Sequence, residues 1–339
     1  MYDPRLVRVI EDSYGFPVNN LTPIPWGYTN QNYHVVTEGK RYIARVSPQV
    51  KVCHLPYESH VLSQLLQSGL SFRVPQKVKA RYGDFVIIDE DGRAVTLFDF
   101  IPGNLMLSSW RYPFDRDGFS RDSGAKVGEL HSALAQVNTP TSEFTHEQLV
   151  QRYLSLFESY RGLKPRERWE YLLLDKIEMA IEETLKYLAY FRSPGTQKRI
   201  VHTDLRLENF IGEGERLAGI LDFDDILLGD QVYDPSKVLK ETYCDRDRIP
   251  EDTRDTFDVS GFRVFTKGYL AQRGLEHEQF IDGVIELLSL PALHVLFGIN
   301  RDPDFDNNTR AGLVDWNLHF IELLRRRKNI EWLHSQLYG

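Results

Sequence analysis

Cysteine is nearly missing from this chain of 339 residues, with only Cys53 and Cys244 present. Two are too few for a disulfide framework or a cysteine-built zinc site. Positive charge is also in deficit. Lys and Arg number 41 against 49 Asp and Glu, a net charge of −8. A general nucleic-acid binder needs a basic footprint, so no nucleic-acid partner is expected. No apolar run looks long enough to span a membrane, and none follows Met1-Tyr2-Asp3-Pro4-Arg5. Hence no membrane partner is expected, and the cytoplasm is the expected compartment. There is no internal repeat and no low-complexity tract. A Walker-type Gly-rich Lys-Ser/Thr motif, His-Glu-x-x-His and Gly-x-Ser-x-Gly are all missing, which argues against P-loop kinases, zinc hydrolases and α/β-hydrolases.

What is present is ordinary globular composition, 42% hydrophobic and 27% charged, with a change of texture near residue 100. Before it, Tyr33 to Val36 and Arg41 to Val46 flank Thr37-Glu38-Gly39-Lys40, a hairpin signal. Tyr57 to Leu66 carries apolar residues at helical spacing and stops at Gly69. Phe85 to Ile88 and Ala94 to Phe100 form a second strand pair around Asp89-Glu90-Asp91-Gly92. Ile101-Pro102-Gly103-Asn104 then breaks the pattern. Beyond it the sequence predicts helices, among them Ala125 to Ala135 and one long stretch from Trp169 to Phe191. A strand-rich island interrupts them at Ile200 to Asp222, and helices resume near Pro235. The expectation is an α+β fold of two lobes, residues 1–100 and 101–339, the first a small antiparallel β lobe with one main helix, the second larger and mostly helical.

The island carries the chemistry. It reads Ile200-Val201-His202-Thr203-Asp204-Leu205-Arg206-Leu207-Glu208-Asn209-Phe210-Ile211, followed by Ile220-Leu221-Asp222-Phe223-Asp224-Asp225. Two carboxylates and a carboxamide stand at strand ends. Phosphoryl transfer uses such a set: one carboxylate orients the attacking hydroxyl, while a second and an amide oxygen hold magnesium on the phosphates. The segment resembles the catalytic loop and metal motif of the aminoglycoside phosphotransferase, choline kinase and homoserine kinase family, relatives of the protein kinases. That resemblance implies a protein kinase-like fold, ATP and Mg2+ as cofactors, Asp204 as catalytic base, Asn209 and Asp222 as magnesium ligands and Asp224 as a second metal or water ligand. Gly229-Asp230-Gln231-Val232-Tyr233-Asp234-Pro235 is similar to the family's Gly-Asp-Pro-x-x-Asp segment, with Asp234 bracing the loop. Thr203 and Gln231 depart from the common Gly and Pro. His202 and His131 read as structural.

In the N-terminal part, Trp26-Gly27-Tyr28-Thr29-Asn30-Gln31-Asn32-Tyr33 resembles the family's phosphate-covering loop, with Gly27, Thr29 and Asn30 toward the nucleotide. Arg45 falls where kinases place a phosphate-pairing lysine, and Glu58 on the next helix is its natural partner. Thr96 to Gly103 resembles the hinge, where backbone groups near Phe98 and Phe100 would meet adenine. The expected activity is phosphorylation of a small-molecule hydroxyl, on a choline- or homoserine-like amino alcohol or an aminoglycoside. Asp224, Asp225 and the faces of Trp110, Trp316 and Trp332 favour a cationic acceptor. A catalytically silent relative acting as a nucleotide-binding scaffold is the alternative. Oligomeric state is not legible.

Overall fold

Asp3 accepts the backbone N–H groups of Arg5 and Leu6 at 3.0 and 3.1 Å, and Pro4 follows at the first helical position. This cap starts α1 (Pro4–Tyr14), which Gly15 ends at φ +84°. Its Leu6, Val7, Ile10 and Tyr14 are buried. This helix is not among the elements expected from the sequence, although both caps and the apolar spacing are legible there. The structure is a computed structural model describing residues 3–25, 30–49, 54–106, 116–138, 144–194, 196, 198–299 and 305–338. The chain divides into two units: residues 1–104 with 218–225, and residues 105–217 with 226–339.

In the first unit a five-stranded antiparallel sheet combines β1 (Asn20–Ile24), β2 (Gln31–Val36), β3 (Arg41–Ser47), β4 (Ile87–Ile88) and β5 (Ala94–Asp99), in the order β1-β2-β3-β5-β4. Helix α2 (Leu55–Leu65) follows β3. The strand expected from Phe85 shrinks to Ile87–Ile88, because only those two residues pair with β5. Side chains alternate across a strand. Tyr42, Ala44 and Val46 of β3, with Val95 and Leu97 of β5, join the core that α1 covers. The same alternation turns Arg45, Thr96 and Phe98 to the other face, and Arg45 lies opposite Thr96 in the register. Residues 218–220 attach here through Arg73, whose N–H reaches Ala218 O at 2.9 Å and whose carbonyl accepts Ile220 N–H at 3.0 Å. That attachment carries Asp222 and Asp224 into this unit.

After β6 (Asn104–Leu105), the second unit is mostly helical. It holds α3 (Arg116–Leu134), α4 (His146–Tyr160), α5 (Arg168–Asp175) and α6 (Ile177–Arg192), then the island strands β7 (Arg199–Val201) and β8 (Phe210–Glu213). Strand β9 (Arg216–Ile220) runs through the unit boundary, and β10 (Leu227–Gly229) pairs antiparallel with β7. There follow α7 (Tyr233–Thr242), α8 (Thr253–Thr256), α9 (Val259–Arg273), α10 (His277–Glu286), α11 (Leu290–Gly298), α12 (Asn307–Arg325) and α13 (Arg327–Tyr338). The single helix expected over Trp169 to Phe191 is two, broken at Lys176 (φ −116°, ψ 14°). The break lets α5 pack on α12 while α6 packs on α4. His277–Gly298 does have the length and mean hydropathy, 1.7, of a membrane span, contrary to expectation, but 72% of it is buried in the structure. It forms core.

Candidate active site

The N-terminal unit assembles an ion cluster on the sheet face away from α1. Arg45 Nη2 donates to Glu58 Oε2 at 2.5 Å, as the sequence predicts. A second cation that the sequence analysis missed, Lys77, meets the same oxygen at 2.7 Å. All three side chains are buried. Phe98 presents its ring to both cations, 4.9 Å from the Arg45 guanidinium carbon and 5.9 Å from Lys77 Nζ. Burial alone would lower the pKa of Arg45, but the charges of Glu58, Asp224 and Asp222 raise it instead. Asn30 donates its amide to Asp224 Oδ2 at 2.7 Å. Asp222 has φ +65°, a left-handed conformation unusual outside glycine. Gly27 and Thr29 lie outside the described residues.

At the hinge, the backbone N–H of Asp99 donates to Gln76 O at 2.9 Å and that of Phe100 to Arg41 O at 3.3 Å. Both amides are therefore engaged within the protein. The Phe100 ring lies 4.1 Å from the Arg41 guanidinium carbon. A cavity of about 370 Å³ borders the hinge, lined by Leu65, Phe72, Gln76, Asp99, Phe100 and Ile101 among others. The ion-cluster residues do not line it.

In the C-terminal unit the short β7 delivers His202 into a braced turn. Asp234, fully buried, accepts the N–H groups of His202 and Thr203, each at 2.8 Å, and stands 2.9 Å from His131 Nε2. His131 Nδ1 is 2.8 Å from the Tyr269 hydroxyl. Burial pushes the Asp234 carboxyl up, but His131, His202 and these hydrogen bonds bring it below the usual range. The turn puts Asp204 beside Asn209, whose Nδ2 donates to the carbonyl and to Oδ2 of Asp204, both at 2.8 Å. With its nitrogen committed to Asp204, the amide oxygen is what Asn209 has left for a cation. Arg206 Nε lies 3.2 Å from Asp204 Oδ2, and Lys237 Nζ 3.2 Å from Oδ1. Burial raises the Asp204 pKa, and Arg206, Lys237 and His202 overcome it, holding the carboxyl well below the ordinary range. The group is therefore ionised at neutral pH.

The sequence profile described as APH, the phosphotransferase enzyme family, matches residues 20–274. The chain belongs to that phosphotransferase enzyme family. It is 25% identical over 300 residues to a homoserine kinase of Zymomonas mobilis, covering 87% of this chain and 84% of that one. It is 23% identical over 264 residues to a homoserine kinase of Methylobacillus glycogenes, covering 77% and 73%. Among solved structures, an amicoumacin kinase in complex with AMP-PNP and Ca2+ superposes with TM-score 0.71 at 18% identity, covering 95% of this chain and 94% of that one. A microcompartment-associated aminopropanol kinase superposes with TM-score 0.69 at 19% identity, covering 99% of each. The fold is protein kinase-like, with an antiparallel N-terminal sheet and a mostly helical remainder, as the sequence predicts. The chain is a small-molecule phosphotransferase.

Within this family frame the donor set fits a nucleotide and its magnesium. Arg45 Nε is buried with no acceptor among the described residues, and so is the Oδ1 oxygen of Asn30 with no donor. The first is a donor suited to a phosphate oxygen, the second an acceptor beside Asp224. Among the described residues no three His, Cys, Asp or Glu side chains converge on a metal point. Magnesium does not require one, since it is bound by one or two carboxylates together with phosphates and water.

Lys77, Arg206 and Lys237 are site residues beyond those expected from the sequence. Arg206 was legible inside the loop motif. Lys237 lies one helical turn beyond Asp234, a detectable relation. Lys77 sits in an irregular connection, and no spacing announced it. Of the proposed aromatic platforms, Trp110 lies outside the described residues. Trp316 is buried, stacks on Phe320 at 5.0 Å, and already has Lys240 Nζ 5.1 Å from its ring. Its face belongs to the core.

Proposed function

We propose that this phosphotransferase transfers the γ-phosphoryl group of ATP, with Mg2+, to the hydroxyl of a small amino alcohol of the homoserine kind. One observation carries the reading. Asp204 is ionised, hydrogen-bonded by Asn209 and held on a braced loop, yet its side chain remains 22% exposed. An anion so placed is matched to an incoming hydroxyl, which it orients and whose proton it accepts as the new P–O bond forms. Arg45 pairs with phosphate oxygens, and the Glu58 carboxylate fixes where it stands. Backbone groups near Phe98 and Phe100 meet the adenine edge. Asp222, Asp224 and Asn209 would hold magnesium, which would neutralise charge on the phosphates.

The acceptor reading draws on two features. Arg206 and Lys237 flank Asp204, which favours an acceptor bearing a carboxylate. The aspartates at 222, 224 and 225 favour one bearing an amine. Homoserine has both, and the curated relatives are homoserine kinases. A silent scaffold would have no chemical need for an ionised, partly exposed Asp204. A Mg2+-dependent ADP-release screen over homoserine, choline, aminopropanol, an aminoglycoside and a neutral sugar tests the reading. The highest kcat/KM is expected for homoserine or a close hydroxy amino acid. Preference for the neutral sugar sinks the amino-alcohol assignment, and no turnover with any acceptor favours the scaffold.

A further inference from the structure

Two cations on one buried carboxylate is more positive charge than a structural ion pair needs. Lys77 Nζ contacts Glu58 Oε2 at 2.7 Å, Ser59 Oγ at 2.7 Å and the Leu55 carbonyl at 3.4 Å. Those three acceptors lie on α2 and match the three donors of an ammonium. Lys77 is therefore saturated by the helix and keeps no hydrogen for a ligand. Arg45 differs. Its Nη2 meets Glu58, while its Nε is buried with no acceptor among the described residues. The two cations and Glu58 sum to one positive charge, whereas Arg45 and Glu58 alone would be neutral. Lys77 also stands across from Phe98 of β5 through an isolated antiparallel bridge, so it ties α2 to the central sheet.

We propose that Lys77 is a positioning residue for nucleotide binding: it anchors Glu58 and α2 to the sheet, and thereby leaves Arg45 to the phosphates. In this division of labour the task usually given to one lysine is carried by two cations. Lys77 holds the glutamate, and Arg45 holds the glutamate with one nitrogen and addresses the ligand with the others. This rests on the reading that the Arg45 cluster binds the nucleotide.

Calorimetric affinity for Mg·ADP in the full chain tests both layers without an acceptor. Arg45→Ala should weaken Mg·ADP by about tenfold or more, and unchanged affinity there would overturn the nucleotide-site reading itself. Given that loss, Lys77→Met should weaken Mg·ADP by about tenfold, and Lys77→Arg should recover to within about threefold of wild type. In a Glu58→Gln background Lys77→Met should add less than about twofold, because Lys77 acts through that carboxylate. A Lys77→Met protein with a lowered melting temperature and wild-type Mg·ADP affinity would make Lys77 merely structural and overturn the proposal. An undiminished loss in the Glu58→Gln background would overturn it too, by showing independent action. Should Lys77→Met fail to fold, Glu58→Gln/Lys77→Met leaves no unpaired carboxylate and decides the matter: affinity equal to Glu58→Gln supports the proposal, and a further tenfold loss overturns it.

Discussion

Asp204 is where charge, hydrogen bonding and exposure meet at single-residue scale. Replacing it by Asn keeps the shape and removes the anion. Phosphoryl transfer should fall by about 10²–10⁴-fold, the range of general-base contributions, while Mg·ATP affinity stays close to wild type. Retention of more than about a tenth of the turnover would contradict the role. Thr203, the preceding residue, has φ +71°, a conformation that glycine adopts at no steric cost. A β-branched residue there carries roughly 1–2 kcal/mol of strain. Asp234 holds the conformation through the Thr203 N–H. Thr203→Gly relieves the strain and costs about 0.5–1 kcal/mol in chain entropy. Stability should therefore be unchanged or higher by about 1 kcal/mol, read by urea denaturation. A loss above about 1 kcal/mol would mean that side-chain contacts outweigh the backbone.

Between elements of the C-terminal unit, α3 packs backbone to backbone against α9, and glycines make it possible. A Cβ on Gly268 would stand 2.1 Å from Arg121 O, and one on Gly124 would stand 2.0 Å from Phe265 O. Backbone meets backbone at both points, so no side chain can swing aside. The crossing also sets His131 of α3 against Tyr269 of α9 and so fixes the histidine that meets Asp234. Gly268 and Tyr269 thus divide the work: the glycine admits the neighbouring helix and the tyrosine orients the brace. Gly268→Ala should destabilise by about 1–3 kcal/mol from overpacking, even though alanine favours the helix by about 1 kcal/mol. The check is a melting or denaturant curve, and an unchanged or more stable variant would show that the helices separate at no cost.

Over the whole molecule, acid sensitivity should begin with a histidine away from the chemistry. His146 is buried between Phe191 and Tyr233, with centroid distances of 4.9 and 4.5 Å, and neither ring nitrogen has a hydrogen-bond partner among the described residues. Burial lowers its pKa to about 3, although the Asp234 charge pulls the other way. Below about pH 6.5 the unfolded chain takes up a proton here that the folded chain refuses. Stability is therefore lost as pH falls through the window from about 6.5 toward 3, and is intact above it. Asp234 acts lower. Its depressed pKa gives stability that is present above about 3.9 and lost as pH falls below. From pH 7.5 to 5.5 the wild type should lose about 1.4 kcal/mol relative to His146→Leu, roughly 2 °C in melting temperature for a chain of this size. Parallel melting temperatures for the two proteins across that range would show that the ring is protonated in the fold.

The sequence alone determined the elements that rest on local rules. The hairpin around Gly39, the helix carrying Glu58 and the strand that hands His202 to Asp204 follow from periodicity, turn residues and motif spacing. The pairs Arg45–Glu58 and Asp204–Asn209 were legible because the first links a strand to the next helix and the second spans a single loop. Tertiary structure decided what depends on distant segments sharing space. Lys77 reached Glu58, Lys237 reached Asp204, and residues 218–225 joined the N-terminal unit through Arg73. The same packing buried Trp316 around Lys240, closing a face that composition had offered to a ligand. Periodicity reports which side of an element is apolar. Which charge lies across from it is fixed only when the chain packs, because burial makes an unpaired ion cost far more than any local preference can offset.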